Sequence, residues 1–297
     1  MAHTSRRDFL KAGVGASLLA GMGGSVLAQA GKRSATDWVT LGRSGVKVTR
    51  LAFGTGTHGG AVQRALGQED FTRLVRYAYD RGIRFFETAE SYRGMPEMLA
   101  TALKGIPRDS YKLMSKYSTP AYGAPPKEKV DQFRTQLSTE YIDILLLHCL
   151  RPATWEQDYK PLQDGLSEAK DKKIILAHGA SVHGLPALRT FPGNQWLDIA
   201  MIRMNHNGTR MDGENPNGNL PGSVDEVVAH TKKVHQQGMG VISMKLVGEG
   251  QFITPEARDA SMKFAMNLGC VDCVTIGFKS TAEIDEAIER IVRVTTA

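Results

Sequence analysis

From residue 50 onward the chain alternates, eight times over, between an apolar run of strand length and a stretch with helical spacing. The strand-length runs fall at 50–53, 84–88, 112–117, 142–149, 174–178, 197–204, 240–245 and 271–276. Amphipathic segments come after them at 69–81, 96–104, 126–137, 161–173, 224–237, 255–268 and 281–292, with a short, weak one near 185–190 after the fifth strand. Pro96, Pro126, Pro161 and Pro255 open four of these helices, where a missing N–H costs no hydrogen bond. Parallel strands need helical crossovers, and eight strand–helix units in about 245 residues predict an α/β fold, the closed (β/α)8 TIM barrel. Ahead of the first unit, 38–41 and 46–48 flank Gly42-Arg43-Ser44-Gly45, an N-terminal β-hairpin signal. No linker-like stretch interrupts residues 31–297, which are expected to form a single domain. The irregular, Asn/Gly-rich segment 205–223 lies after a strand, where a barrel places function.

Residues 1–30 read as an address label. Ser5-Arg6-Arg7-Asp8-Phe9-Leu10-Lys11 precedes a mildly apolar Gly/Ala stretch, and Ala28-Gln29-Ala30 supplies a small-x-small cleavage site. The stretch carries too many glycines for a stable membrane span. The paired arginines resemble the twin-arginine class of bacterial export signals, which implies the export machinery as a partner and a periplasmic destination. The net charge of +6 is spread without a basic run interleaved with aromatics, so nucleic acid is not an expected partner. Three cysteines exclude a disulfide framework and a four-thiolate metal site. No stripe of exposed apolar residues points to an oligomeric state.

Gly54-x-Gly56-x-x-Gly59 after the first strand imitates a dinucleotide fingerprint, with Glu87 closing the next strand. Residues 60–68 intervene before a convincing helix, however, and the fingerprint needs its third glycine at a helix start. The glycines therefore read as the first barrel loop.

Reactive side chains of a barrel sit at the C-terminal ends of its strands. Glu87 ends the second strand and Tyr92 comes five residues later; Lys116 ends the third and His148 the fourth. A phenol is a poor acid near neutrality; a neighbouring ammonium is expected to lower its pKa, and a carboxylate keeps that ammonium charged. A neutral histidine can hydrogen-bond and orient a reacting oxygen. The set suits proton donation to a carbonyl oxygen while hydride reaches carbon. Taken singly, each residue reads as structural or as a solvated rim charge; together they mark three consecutive strand ends.

These residues, with Leu51-Ala52-Phe53-Gly54-Thr55-Gly56 and Tyr141-Ile142-Asp143-Ile144-Leu145-Leu146-Leu147-His148, resemble the aldo-keto reductase family over about residues 38–291. Gly277-Phe278-Lys279-Ser280 is similar to that family's adenosine-phosphate loop. The resemblance implies NADPH-dependent reduction of aldehyde or ketone carbonyls, NADH being the alternative nucleotide. Tyr92 would be the acid, Lys116 and Glu87 would tune it, and His148 would orient the substrate. Gly54, Thr55, Ser181, Met201, Met244, Lys245, Lys279 and Ser280 would contact cofactor.

The chain departs from the family at several of these places. Glu87 stands where Asp is usual, and the ion pair with Lys116 is expected to survive the longer side chain. Ser181-Val182 replaces Ser-Asn, Met201 replaces a glutamine, and Met244 replaces a stacking aromatic. An arginine expected shortly after Ser280 is absent, with Asp285 or Glu286 there instead. These losses motivate the competing reading of a catalytically idle nucleotide- or partner-binding barrel. Strand alternation turns Cys149 toward the helical layer as a small core residue. Cys270 and Cys273 are expected to face opposite sides of a strand without bonding. His178, His183 and His206 fall near the predicted mouth without metal-ligand spacing, so no metal site is expected.

Overall fold

The computed structural model describes residues 33–118, 126–214 and 221–295, and the leader predicted over 1–30 lies outside them. A hairpin comes first, with β1 (Trp38–Thr40) antiparallel to β2 (Lys47–Thr49). Eight parallel strands then close a barrel: β3 (Leu51–Gly54), β4 (Phe85–Glu87), β5 (Lys112–Ser118), β6 (Ile142–Leu150), β7 (Ile175–Val182), β8 (Ile199–Arg203), β9 (Gly240–Met244) and β10 (Cys273–Gly277). Each pairs with its sequence neighbour, and β10 returns to β3. The helices wrapped outside are α1 (Ala61–Arg64), α2 (Gly67–Asp80), α3 (Met95–Leu103), α4 (Pro126–Gln136), α5 (Trp155–Asp158), α6 (Lys160–Asp171), α7 (Leu185–Leu188), α8 (Val224–Gln236), α9 (Pro255–Asn267) and α10 (Thr281–Thr295). All eight predicted strands and all predicted long helices are present; α1 and α5 are single turns too short to show a period.

Two apolar layers hold the cylinder, and strand alternation sorts residues between them. Ala52, Phe85, Met114, Ile144, Ala177, Met201 and Ile242 point inward and pack as one cluster. Leu41, Val46 and Val48 of the hairpin join that cluster and stop the N-terminal end of the barrel. The alternate residues, among them Phe53, Phe86, Leu145, Ala180 and Ile202, meet the helices. Helix α2 shows why the outer layer forms: Phe71, Leu74, Val75 and Ala78 recur on one face and are buried. Each large apolar side chain so buried contributes about 1.5–3 kcal/mol.

The fifth barrel strand runs to Val182, beyond the predicted end at 178. Gly179-Ala180-Ser181 has little intrinsic strand preference, and pairing with β6 and β8 imposes the extended form. An ideal Cβ on Gly179 would stand 1.9 Å from the Ile199 carbonyl oxygen, so that crossing admits glycine alone. The extension moves His178 off the mouth. Its ring stacks on Trp196 at 4.4 Å, and its Nδ1 lies 3.5 Å from Asp198.

Candidate active site

Inward positions at the C-terminal strand ends collect polar groups above the apolar plug. Glu87 lies two residues beyond inward Phe85, and Lys116 two beyond inward Met114; both are buried. The Lys116 ammonium has three donors and three acceptors: Glu87 Oε1, the Thr88 carbonyl at 2.8 Å and Tyr92 Oη at 3.3 Å. Burial lowers the Lys116 pKa, while the charge and hydrogen bond of Glu87 push it back up. Glu87 turns its other oxygen to Thr275 Oγ1 on β10, 3.3 Å away, so the longer carboxylate is held from both sides of the barrel.

Tyr92 reaches this pair from the loop after β4, and Gly56 makes room for it. An ideal Cβ on Gly56 would fall 2.5 Å from Tyr92 Cζ and Oη. The expected acidification of the phenol is not what the structure shows. Burial pushes Tyr92 well above its ordinary pKa and the Glu87 charge adds to that. The phenol is thus a firmly held proton donor. His148 packs edge-on to Tyr92, ring centroids 5.6 Å apart, and shares a 3.2 Å hydrogen bond with Ser91 Oγ through Nδ1. Burial first, then the charges of Lys116, Lys245 and Arg203, drive its pKa well below the ordinary value, leaving a neutral imidazole.

A cleft of about 480 Å³ runs from this group to the outer helices, within the range of small-molecule sites. Of the residues with predicted cofactor contacts, Gly54, Met201, Met244, Lys245 and Lys279 line it. Thr55 and Ser280 do not: the Thr55 side chain is buried beside the cleft, and Ser280 Oγ accepts from the Glu283 amide at the start of α10. Ser181 is the register partner of Met201, and its buried Oγ has no partner among the described residues. Lys245, at φ 64°, donates to Glu249 Oε1 at 2.7 Å. Arg258 on α9, which no sequence signal marks, lines the outer end near Lys279 and binds Glu286 Oε1 at 2.9 Å. It belongs to no local motif; the packing of α9 on α10 brings it there.

Cys149 does not face the helical layer as alternation predicts. The β6–β7 register shifts between Leu147 and Leu150, Cys149 takes φ 62°, and its Sγ lies 3.9 Å from His183 Nε2 at the mouth. Ligand atoms of His148, Cys149 and His183 thereby come within 4.8 Å of one another, a grouping that sequence spacing could not reveal. Cys270 and Cys273 do not bond, as expected, but only Cys273 lies in a strand, β10, with Cys270 ahead of it; both are buried, which raises both thiols.

The model of the aldo/keto reductase family matches residues 50–294. The chain belongs to the aldo/keto reductase family. Among curated members, "Probable aldo-keto reductase 1" of Glycine max is 27% identical over 174 residues, covering 51% of this chain and 50% of the relative. L-galactose dehydrogenase of Arabidopsis thaliana is 29% identical over 155 residues, covering 49% and 48%. The matches thus span about half the length of these relatives. The aldo-keto reductase of Klebsiella pneumoniae solved with NADPH superposes with a TM-score of 0.64 at 14% identity, covering 86% of this chain and 89% of that one; at that identity the likeness is one of fold.

Proposed function

We propose that the chain reduces an aldehyde or ketone carbonyl to an alcohol with NADPH, Tyr92 giving the proton. The observation that carries this reading is Lys116 Nζ at 3.3 Å from Tyr92 Oη, with Glu87 on the same ammonium. The cleft suits a nicotinamide nucleotide. The Ser181 hydroxyl, without a partner among the described residues, offers one for the carboxamide, Met201 and Met244 give apolar faces for a ring, and Lys279 and Arg258 stand at the outer end. An extra phosphate would share those two cations with Glu286 and Glu283, which pair with them and line the same cleft, and NADH stays the alternative nucleotide. A bound reduced nicotinamide would supply the hydride. Tyr92 O–H then donates to the carbonyl oxygen, and Lys116 stabilises the phenolate left behind. Glu87 keeps Lys116 charged in its buried place. Neutral His148 hydrogen-bonds the carbonyl oxygen and fixes its approach.

Joining the reading of residues 1–30 to this one, we propose a periplasmic enzyme exported by the twin-arginine route. No helix among the described residues is long and apolar enough to cross a membrane. The deciding experiment mixes purified chain with NADPH and a panel of aldehydes and ketones and tracks loss of nicotinamide absorbance with product formation. Turnover supports the reductase. Nucleotide binding without turnover on any carbonyl supports the idle binding barrel instead.

A further inference from the structure

Arg203 ends β8, and the strand's alternation turns it inward. Met201, two residues earlier, belongs to the interior cluster and lines the cleft. Arg203 itself stands in register with Met244, another inward, cleft-lining residue. On the neighbouring strand Ser181 is level with Met201, so the register carried two residues on sets His183 beside Arg203. The His183 ring lies 5.8 Å from that of His148, which lies 5.6 Å from Tyr92. Arg203 is therefore the far member of a row that begins at the phenol.

Its side chain is 9% exposed, yet among the described residues it donates no hydrogen bond. Asp212 Oδ1 is its nearest carboxylate at 3.7 Å, beyond hydrogen-bond range from Nε. The Arg203 Nε is buried without a partner among the described residues, and an N–H stripped of water is costly to leave unmet. Burial pushes the Asp212 carboxyl up to about 7, so it is an incomplete counter-charge at neutral pH. Lys116 and Lys245, which also face the mouth, are paired with Glu87 and Glu249. Among the described residues Arg203 therefore brings positive charge in excess to the mouth, together with a fork of donors matched to a carboxylate. The same cations argue against a metal ion among His148, Cys149 and His183.

We propose that Arg203 anchors a carboxylate carried by the carbonyl substrate. The oxo group lies between Tyr92 and His148, and His183 flanks the interval. The substrates are then oxo acids or carboxylated aldehydes, with the carboxylate several bonds from the carbonyl carbon. A single cation that is only partly balanced by Asp212 fits a monoanion better than a phosphate dianion, which draws on two or more. The proposal rests on the reductase reading for the reaction and on Arg203 alone for the preference.

The test compares kcat/KM for 4-carboxybenzaldehyde and 4-methylbenzaldehyde, two aldehydes of similar shape. The carboxylated substrate is expected to be favoured by about a hundredfold, as for a charge-assisted bidentate contact. Arg203→Met should collapse that ratio to near one, and Arg203→Lys should recover part of it and guards against a misfolded methionine variant. Calorimetric titration with benzoate reads the same site without catalysis: binding should weaken tenfold or more in Arg203→Met. Equal kcat/KM for the two aldehydes, or a ratio that survives Arg203→Met, overturns the proposal. Absence of turnover combined with Arg203-dependent benzoate binding removes the reductase reading and leaves the anion site standing; benzoate binding indifferent to Arg203 removes the site.

Discussion

Replacing Gly56 by alanine puts a methyl group where the Tyr92 ring already lies. The added carbon would fall 2.5 Å from Cζ and Oη and 2.7 Å from Cε2. Ordinary carbon contacts need about 3.5–4.0 Å, so the ring must withdraw by roughly 1 Å or more. Tyr92 Oη stands at 3.3 Å from Lys116 Nζ, near the outer limit of a hydrogen bond, and a shift of that size breaks it. Misplacing a reacting group by about 1 Å costs on the order of a hundredfold in rate, or about 2.7 kcal/mol of activation free energy. The steric cost to the fold is separate, about 1–3 kcal/mol as for an overpacked core. The assay is kcat/KM for carbonyl reduction on protein whose circular dichroism and thermal melt show it folded. Placed on top of Tyr92→Phe, the same alanine should cost little, because the displaced oxygen is already gone; the two losses are not additive. A folded Gly56→Ala enzyme with kcat/KM within about threefold of the parent, against the hundredfold that misplacement predicts, would refute the idea that close approach of Tyr92 to Lys116 drives the chemistry.

Other consequences come from the charges. Tyr92 is held protonated by burial and His148 is held neutral. Carbonyl reduction should therefore be flat through neutral pH and fall only on the alkaline side, whereas alcohol oxidation should rise with pH; a reduction rate titrating away near pH 6.5 would contradict this. Burial drives His178 down to about 4, so the folded chain refuses a proton that the unfolded chain takes near pH 6.5. Stability is then full above about pH 6.5 and is lost as pH falls toward 4, by about 2 kcal/mol from this residue between pH 7 and pH 5. Urea melts at the two pH values measure it, and His178→Phe should flatten the dependence by that amount; an unchanged slope refutes the assignment. For export, Arg6→Lys with Arg7→Lys should leave the precursor in the cytoplasm, as cell fractionation would show, and normal export of that double variant would contradict the twin-arginine reading.

The barrel is legible in the sequence because its signal is repeated: eight apolar runs, each succeeded by helical spacing, leave few other topologies. The grouping of Glu87, Lys116 and His148 is legible because strand ends are readable from sequence. Features that escape such reading depend on departures from that regularity. Alternation sends Cys149 to the wrong face because a one-residue register shift inverts it, and nothing local announces the shift. His178 reads as a mouth residue because a small-residue strand looks like a turn until its neighbours pair with it. The direction of the Tyr92 shift is hidden because residue types reveal a neighbouring charge but not the depth of burial that outweighs it. Arg203 passes as an ordinary residue of an apolar strand; only the closed register shows it inward beside cleft-lining Met244, its Nε without a partner among the described residues.

The most direct measurement is single-turnover carbonyl reduction by Tyr92→Phe, with NADPH binding monitored in parallel by fluorescence. The account predicts nucleotide binding like that of the parent and a reduction rate lower by about a thousandfold, the loss of one positioned acid. A phenylalanine variant that reduces carbonyls near the parental rate would show that the proton comes from elsewhere.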